Sequence, residues 1–154
     1  MGIPAWETNS NFTVFIVTRR GSTGNPYYPI LGGDPVHYQG VYLWQQAGYA
    51  YVGRSSSTRS YAPVTPSAAG DVWTVVDNGG YWSLYQGTAA RISSAYLGHV
   101  SNPVGGGPGA FTPDGVNYYY YDGWIGEIVV YNRALNATEL LQVQSFLRSR
   151  WGTP

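Results

Sequence analysis

Residues 123–152, GWIGEIVVYNRALNATELLQVQSFLRSRWG, change period part-way along. Ile125, Ile128, Val129 and Val130 form a short β-branched run of the kind that builds a buried strand. After a tight turn, Leu140, Val143, Leu147 and Trp151 recur at helical spacing and make one apolar stripe. Asn136 is placed as N-cap, and Glu139 three residues later completes a capping box. Arg148 and Arg150 suit the negative end of the helix dipole, and Gly152 stops the helix. The pattern predicts a helix over about 136–150. Glu127, a lone carboxylate on the strand, is expected to pair with Arg133, the nearest arginine in sequence.

What this helix covers is suggested by NFTVFIVTRR, residues 11–20. Phe12, Val14 and Ile16 share one face of a strand, while Phe15 and Val17 share the other. A strand apolar on both faces is covered on both. With Val129 likewise on a second face, the C-terminal helix is expected to lie across the outside of the sheet as a clasp. HYQGVYLWQQAGYAYVGR (37–54) predicts a hairpin turning near Ala47–Gly48, and DVWTVVDNGGYWSLYQGTAA (71–90) a second one around Asn78–Gly79. ISSAYLGHV (92–100) predicts a short strand, and residues 116–132 two strands broken at Asp122–Gly123. GSTGNPYYPILGGDP (21–35) has the residues of a turn-rich break, SSSTRSYAPVTPSAAG (55–70) those of an exposed arm, and SNPVGGGPGAFTPDG (101–115) those of a long loop. The expectation is one domain over 1–154, all-β: an antiparallel β-sandwich (strands about 11–131) with a short C-terminal α-helix packed on one sheet.

Composition narrows the function. The formal net charge is +0, and all eight basic residues are arginine, so no basic stripe exists for a nucleic acid. The absence of cysteine removes disulfides, thiolate chemistry and Cys-ligated zinc. MGIPAWETNS lacks the pattern of a signal peptide, and no stretch approaches the roughly 18 apolar residues of a membrane helix. A virion or extracellular location would then be reached by lysis or another route of release.

The C-terminal stretch also resembles a family. Gly123, Ile125, Glu127, Ile128, Tyr131, Asn132, Arg133 and Leu135, followed by Glu139, Val143, Phe146, Leu147 and Trp151, are similar to the closing strand and helix of concanavalin A-like (laminin G-like, pentraxin-like) jelly-roll domains, particularly those of bacteriophage structural proteins and secreted bacterial proteins. FTVFIVTR is similar to an early strand of that family. The resemblance implies two curved antiparallel sheets with ligand sites in loops or on the concave face. Such domains usually carry one or two further strands before FTVF, where eleven residues stand here, so an open edge and self-association are expected. The E-x-D-x-x-E run of the glucanase branch is missing, which implies that the chain is not an enzyme.

Candidate binding residues are then mostly rings. Trp44, Tyr49, Tyr51, Trp82, Tyr85, Tyr119 and Tyr121 have the flat apolar faces and polar handles that suit a sugar, a protein interface or the core. Arg54 and Arg59 flank the serine-rich arm and could grip an acidic group or stay solvated. No cofactor is implied. Calcium could meet loop oxygens of Asp34, Asp71, Asp77, Asn78, Asp114 and Asp122, although these are also ordinary turn formers. His37 and His99 are expected to be structural. The expected role is a non-enzymatic structural or adhesion protein: a phage virion component (capsid decoration or tail) packing against copies of itself and other shell proteins, with a cell-surface glycan as a further candidate ligand. The alternative is a carbohydrate-binding module of a secreted or surface bacterial protein.

Overall fold

The computed structural model describes residues 11–21, 27–32, 41–54, 58–98, 110–111 and 119–154. In chain order the strands are β1 (Phe12–Arg20), β2 (Tyr27–Leu31), β3 (Tyr42–Gln46), β4 (Tyr49–Gly53), β5 (Arg59–Pro63), β6 (Asp71–Asn78), β7 (Tyr81–Gln86), β8 (Ala89–Tyr96), β9 (Ala110–Phe111), β10 (Tyr119–Tyr120) and β11 (Gly123–Tyr131), followed by helix α1 (Ala137–Trp151). They form a five-stranded antiparallel sheet in the order β11-β1-β6-β7-β8, a four-stranded antiparallel sheet β2-β3-β4-β5, and a small β9/β10 ladder. The protein is an all-β sandwich with a C-terminal helix.

Alternation along the strands makes the layers. Phe12, Val14 and Ile16 of β1, with Trp73 and Val75 of β6 and Leu84 of β7, meet Leu43, Ala50 and Val52 of the four-stranded sheet in the main core. Phe15 and Val17 point the other way and join Val72, Val76, Leu140 and Leu147 in a second cluster beneath α1. Strand β1 is central, flanked by β11 and β6, so the edges of the larger sheet are β11 and β8 rather than β1.

Three strands differ from the expectation: Ala110–Phe111, within the expected loop over 101–115, forms β9, and two longer segments are strands as well. YYPIL is β2 rather than part of a turn-rich break, and RSYAP within the expected arm is β5. Each contains a proline, which cannot donate to a ladder, and each is an outer strand of the four-stranded sheet, where proline is tolerated. The hairpin turns follow from backbone sign. Ala47 and Gly48 both take positive φ between paired Gln46 and Tyr49. In the second hairpin the central residues are Gly79 and Gly80, one position later than the Asn78–Gly79 dipeptide suggests. Side chains hold that turn: Gly80 N donates to Asp77 (2.8 Å) and Gly79 N to Asn11 Oδ1 (2.8 Å).

Polar fastenings position α1. The Asn136 side chain accepts from Glu139 N (3.0 Å), and the Glu139 carboxylate accepts from Asn136 N (2.9 Å). Buried Thr13 of β1 donates to Arg133 O and accepts from Leu135 N, both at 3.0 Å, which ties the turn before the helix to the sheet. Gln144, buried under the helix, donates to Thr74 of β6 (3.1 Å). The helix ends at Gly152, in the left-handed region at φ 63.

The expected Glu127–Arg133 pair does not form. Arg133 makes a two-pronged bond to Glu139 (2.7 and 2.8 Å), while Glu127 accepts from Trp151 Nε1 (2.9 Å) and lies 3.3 Å from Arg150 Nε. Arg133 lies beyond the end of β11, beside the helix start, whereas the returning helix brings its C-terminus to Glu127. Sequence proximity was the wrong measure.

Leu147 is buried between helix and sheet. Leu147→Ala should cost about 2–5 kcal/mol in urea unfolding through the cavity it opens; a loss below roughly 0.5 kcal/mol would mean that the helix is not a working clasp. The Arg133 bonds and the Asn136 amide hold the Glu139 carboxyl down at about 2, from an ordinary 4.5. A carboxyl lowered by folding stabilises above its unfolded value, and that contribution is lost as pH falls through the folded one. Protection of the helix start against hydrogen exchange, taken relative to the intrinsic amide rate at each pH, should therefore be highest at pH 5 and fall between about pH 4.5 and 2. Glu139→Gln should flatten this acid dependence.

Candidate functional site

The outer face of the four-stranded sheet carries the densest group of rings. On β3 the odd position Leu43 turns into the core, so Tyr42 and Trp44 turn outward. The register sets Trp44 beside Tyr51 and Tyr51 beside Tyr61, in one row across three strands. Tyr42 stacks on Trp44 (centroids 5.0 Å, planes at 17°), Trp44 lies 5.3 Å from Tyr51, Tyr51 5.4 Å from Tyr61, and Tyr61 5.8 Å from Tyr49. The five rings form a graded platform. Tyr42 is 2% exposed and Trp44 8%, whereas Tyr49 is 41% exposed and Tyr61 61%.

A cation lies over the deeper part. The Arg59 guanidinium carbon is 5.1 Å from the Trp44 ring centre and 5.3 Å from that of Tyr51, distances at which the ring quadrupole attracts it. It is also within hydrogen-bonding reach of the Tyr42 hydroxyl. Burial pushes that phenol above the usual tyrosine range, and Arg59 opposes the shift through its charge and hydrogen bond. The crossing needs Gly53. In the register Gly53 stands between Tyr42 and Arg59, and a Cβ there would lie 2.5 Å from Thr58 O and 2.8 Å from Arg59 Cα.

Trp44, Tyr49, Tyr51 and Arg59 are thus brought together, and the remaining candidates go elsewhere. Trp82, expected as a binding ring, is fully buried: it shares the inner face of β7 with Leu84, meets Phe12 edge-on at 5.3 Å and donates from Nε1 to Gly98 O (2.9 Å). Tyr85, on the opposite face of that strand, is half-buried against the helix-side cluster. Tyr121 is half-buried against the main core, where burial pushes its phenol up to about 12. Half-buried Arg54, one residue beyond Gly53, lies on the side away from the rings, beside Gly98. The Tyr119 side chain, Asp34, His37, His99 and Asp114 lie outside the described residues.

Sequence reasoning passed over Tyr42 and Tyr61. The signal for Tyr61 was present, since Arg59 and Tyr61 alternate with Ser60 and Ala62, but the polar context made the segment look like an arm. The acidic residues show no metal arrangement: among the described residues no group of three or more His, Cys, Asp or Glu could hold an ion. Asp71 is buried and accepts from Gln86 Nε2 (2.8 Å) and Ser67 N (3.1 Å); burial raises its carboxyl despite those bonds. Asp77 caps its own turn.

No family model and no curated protein sequence matches the chain. Solved structures do match. The CBM40 module of the Ruminococcus gnavus IT-sialidase, bound to α2,3-sialyllactose, superposes with a TM-score of 0.70 at 15% identity, over 88% of this chain and 83% of that one. Domain 4 of AbnA, a GH43 extracellular arabinanase from Geobacillus stearothermophilus, in complex with arabinotriose, gives 0.69 at 15% identity over 93% and 71%. The binding domain of botulinum neurotoxin serotype D gives 0.66 at 15% identity, over 94% of this chain but only 39% of that one. At such identities the likeness is one of fold, that of a β-sandwich shared with carbohydrate-binding modules.

Because Trp82 is fully enclosed, Trp82→Ala should destabilise by about 3–5 kcal/mol in chemical unfolding. A variant that unfolds like the parent would place the ring at a surface instead.

Proposed function

We propose that this chain is a non-catalytic carbohydrate-binding module, with its saccharide lying on the outer face of the four-stranded sheet. The observation that carries this reading is the row of rings from Trp44 through Tyr51 to Tyr61 and Tyr49, half-open to solvent on a rigid three-strand support. Flat rings match the C–H faces of a pyranose or furanose, and phenolic hydroxyls at the margin can exchange hydrogen bonds with sugar hydroxyls. Two of the solved structures of similar fold hold oligosaccharides, sialyllactose in one and arabinotriose in the other, which supports the same use of this sandwich.

Glycoside cleavage would require two carboxyl groups facing one another across the sugar. The described carboxylates, Asp71, Asp77, Asp122, Glu127 and Glu139, belong to β6, to the turn before β11, to β11 itself and to α1, and none is in the ring row. The virion role expected from the C-terminal resemblance has no observation of this kind behind it. The alternative, a carbohydrate-binding module of a secreted or surface bacterial protein, is the reading adopted.

Screening the whole chain on a glycan array, followed by calorimetry on the hits, tests the proposal. Tyr61→Ala should weaken binding about tenfold or more, roughly 1.4 kcal/mol, with an unchanged thermal midpoint because the ring is exposed. A Tyr61→Ala variant that binds every hit as the parent does would remove this face as the site.

A further inference from the structure

The ring platform carries a cation, Arg59, on its rings. Arg133 is matched by Glu139 and Arg150 by Glu127, but Arg59 faces no carboxylate among the described residues. Its side chain is exposed, and a guanidinium has more N–H donors than the single Tyr42 hydroxyl can engage. It is also already placed: resting on Trp44 and Tyr51 and passing over Gly53, it would lose little rotamer freedom when a ligand arrives. Among the described residues the ring row holds the Arg59 cation and no carboxylate.

We propose that this face selects an acidic saccharide, one bearing a carboxylate as a uronic or sialic acid does. The carboxylate meets the free edge of Arg59 while the C–H face of the same or the adjoining sugar lies on Tyr51 and Tyr61. The planar fork of a guanidinium fits a carboxylate with two parallel hydrogen bonds, which a neutral hydroxymethyl group or an ester cannot reproduce. This inference rests on the carbohydrate-binding reading and adds to it the chemical class of the ligand.

The test is calorimetric titration of the whole chain with matched pairs, 3′-sialyllactose against lactose and trigalacturonic acid against its methyl ester. In at least one pair the acidic member should bind about tenfold tighter or more at low salt, with the ratio shrinking as ionic strength rises. Arg59→Gln should bring that ratio close to unity, and Arg59→Lys, which keeps the charge, should restore part of it. Acidic and neutral members bound equally by the parent, or a preference that survives Arg59→Gln, would overturn the inference. If both members bind equally and Tyr61→Ala abolishes both, the carbohydrate reading stands without the acidic preference. Binding of no saccharide in either pair or on the array overturns the two together.

Discussion

A single strand that is greasy on both sides sets the terms for the rest of the fold. Strand β1 buries Phe12, Val14 and Ile16 against one layer and Phe15 and Val17 against another, so it is stable only between two covers. At about 25 cal/mol per Å² of apolar surface, leaving either row wet would forfeit several kcal/mol, a large share of a small domain's net stability. The four-stranded sheet supplies one cover and α1 the other. Over β1 and β6 the larger sheet is therefore closed on both faces.

This two-sided requirement was legible in the order of residues. Alternation in FTVFIV, the stripe Leu140, Val143, Leu147 and Trp151, and the cap formed by Asn136 and Glu139 each rest on local periodicity, which survives without a partner in view. What stayed hidden needed three-dimensional information. Strands β2 and β5 are short and proline-bearing, as outer strands can be, and they sit among Gly, Pro and Ser, so they carry the punctuation of loops. Trp44 and Trp82 occupy equivalent-looking positions in equivalent-looking hairpins, yet one is on an outer face and the other in the core. Parity tells which residues share a face but not which face is inward. The partner of Glu127 was beyond local reasoning altogether, since it depends on where a returning helix ends.

The exclusive use of arginine takes on meaning beside the sixteen per cent of aromatic residues. Arg20 lies 3.7 Å from the centre of the Tyr28 ring, Arg59 over Trp44 and Tyr51, and Arg150 6.0 Å from Phe146. A planar, weakly hydrated cation can cover a ring and still present its edge to water, which the compact ammonium of lysine does poorly. In a chain with few charges, the same residues that shield rings also supply much of its positive potential.

The prolines of the smaller sheet reach beyond its own ladder. Pro29 in β2 and Pro63 in β5 leave a missing N–H in each outer strand, so a foreign strand adding to either side would meet an interruption in its hydrogen bonding. Lengthening this sheet sideways by a neighbouring strand is thereby disfavoured. The sheet is a bounded plate, finite in width by its own chemistry.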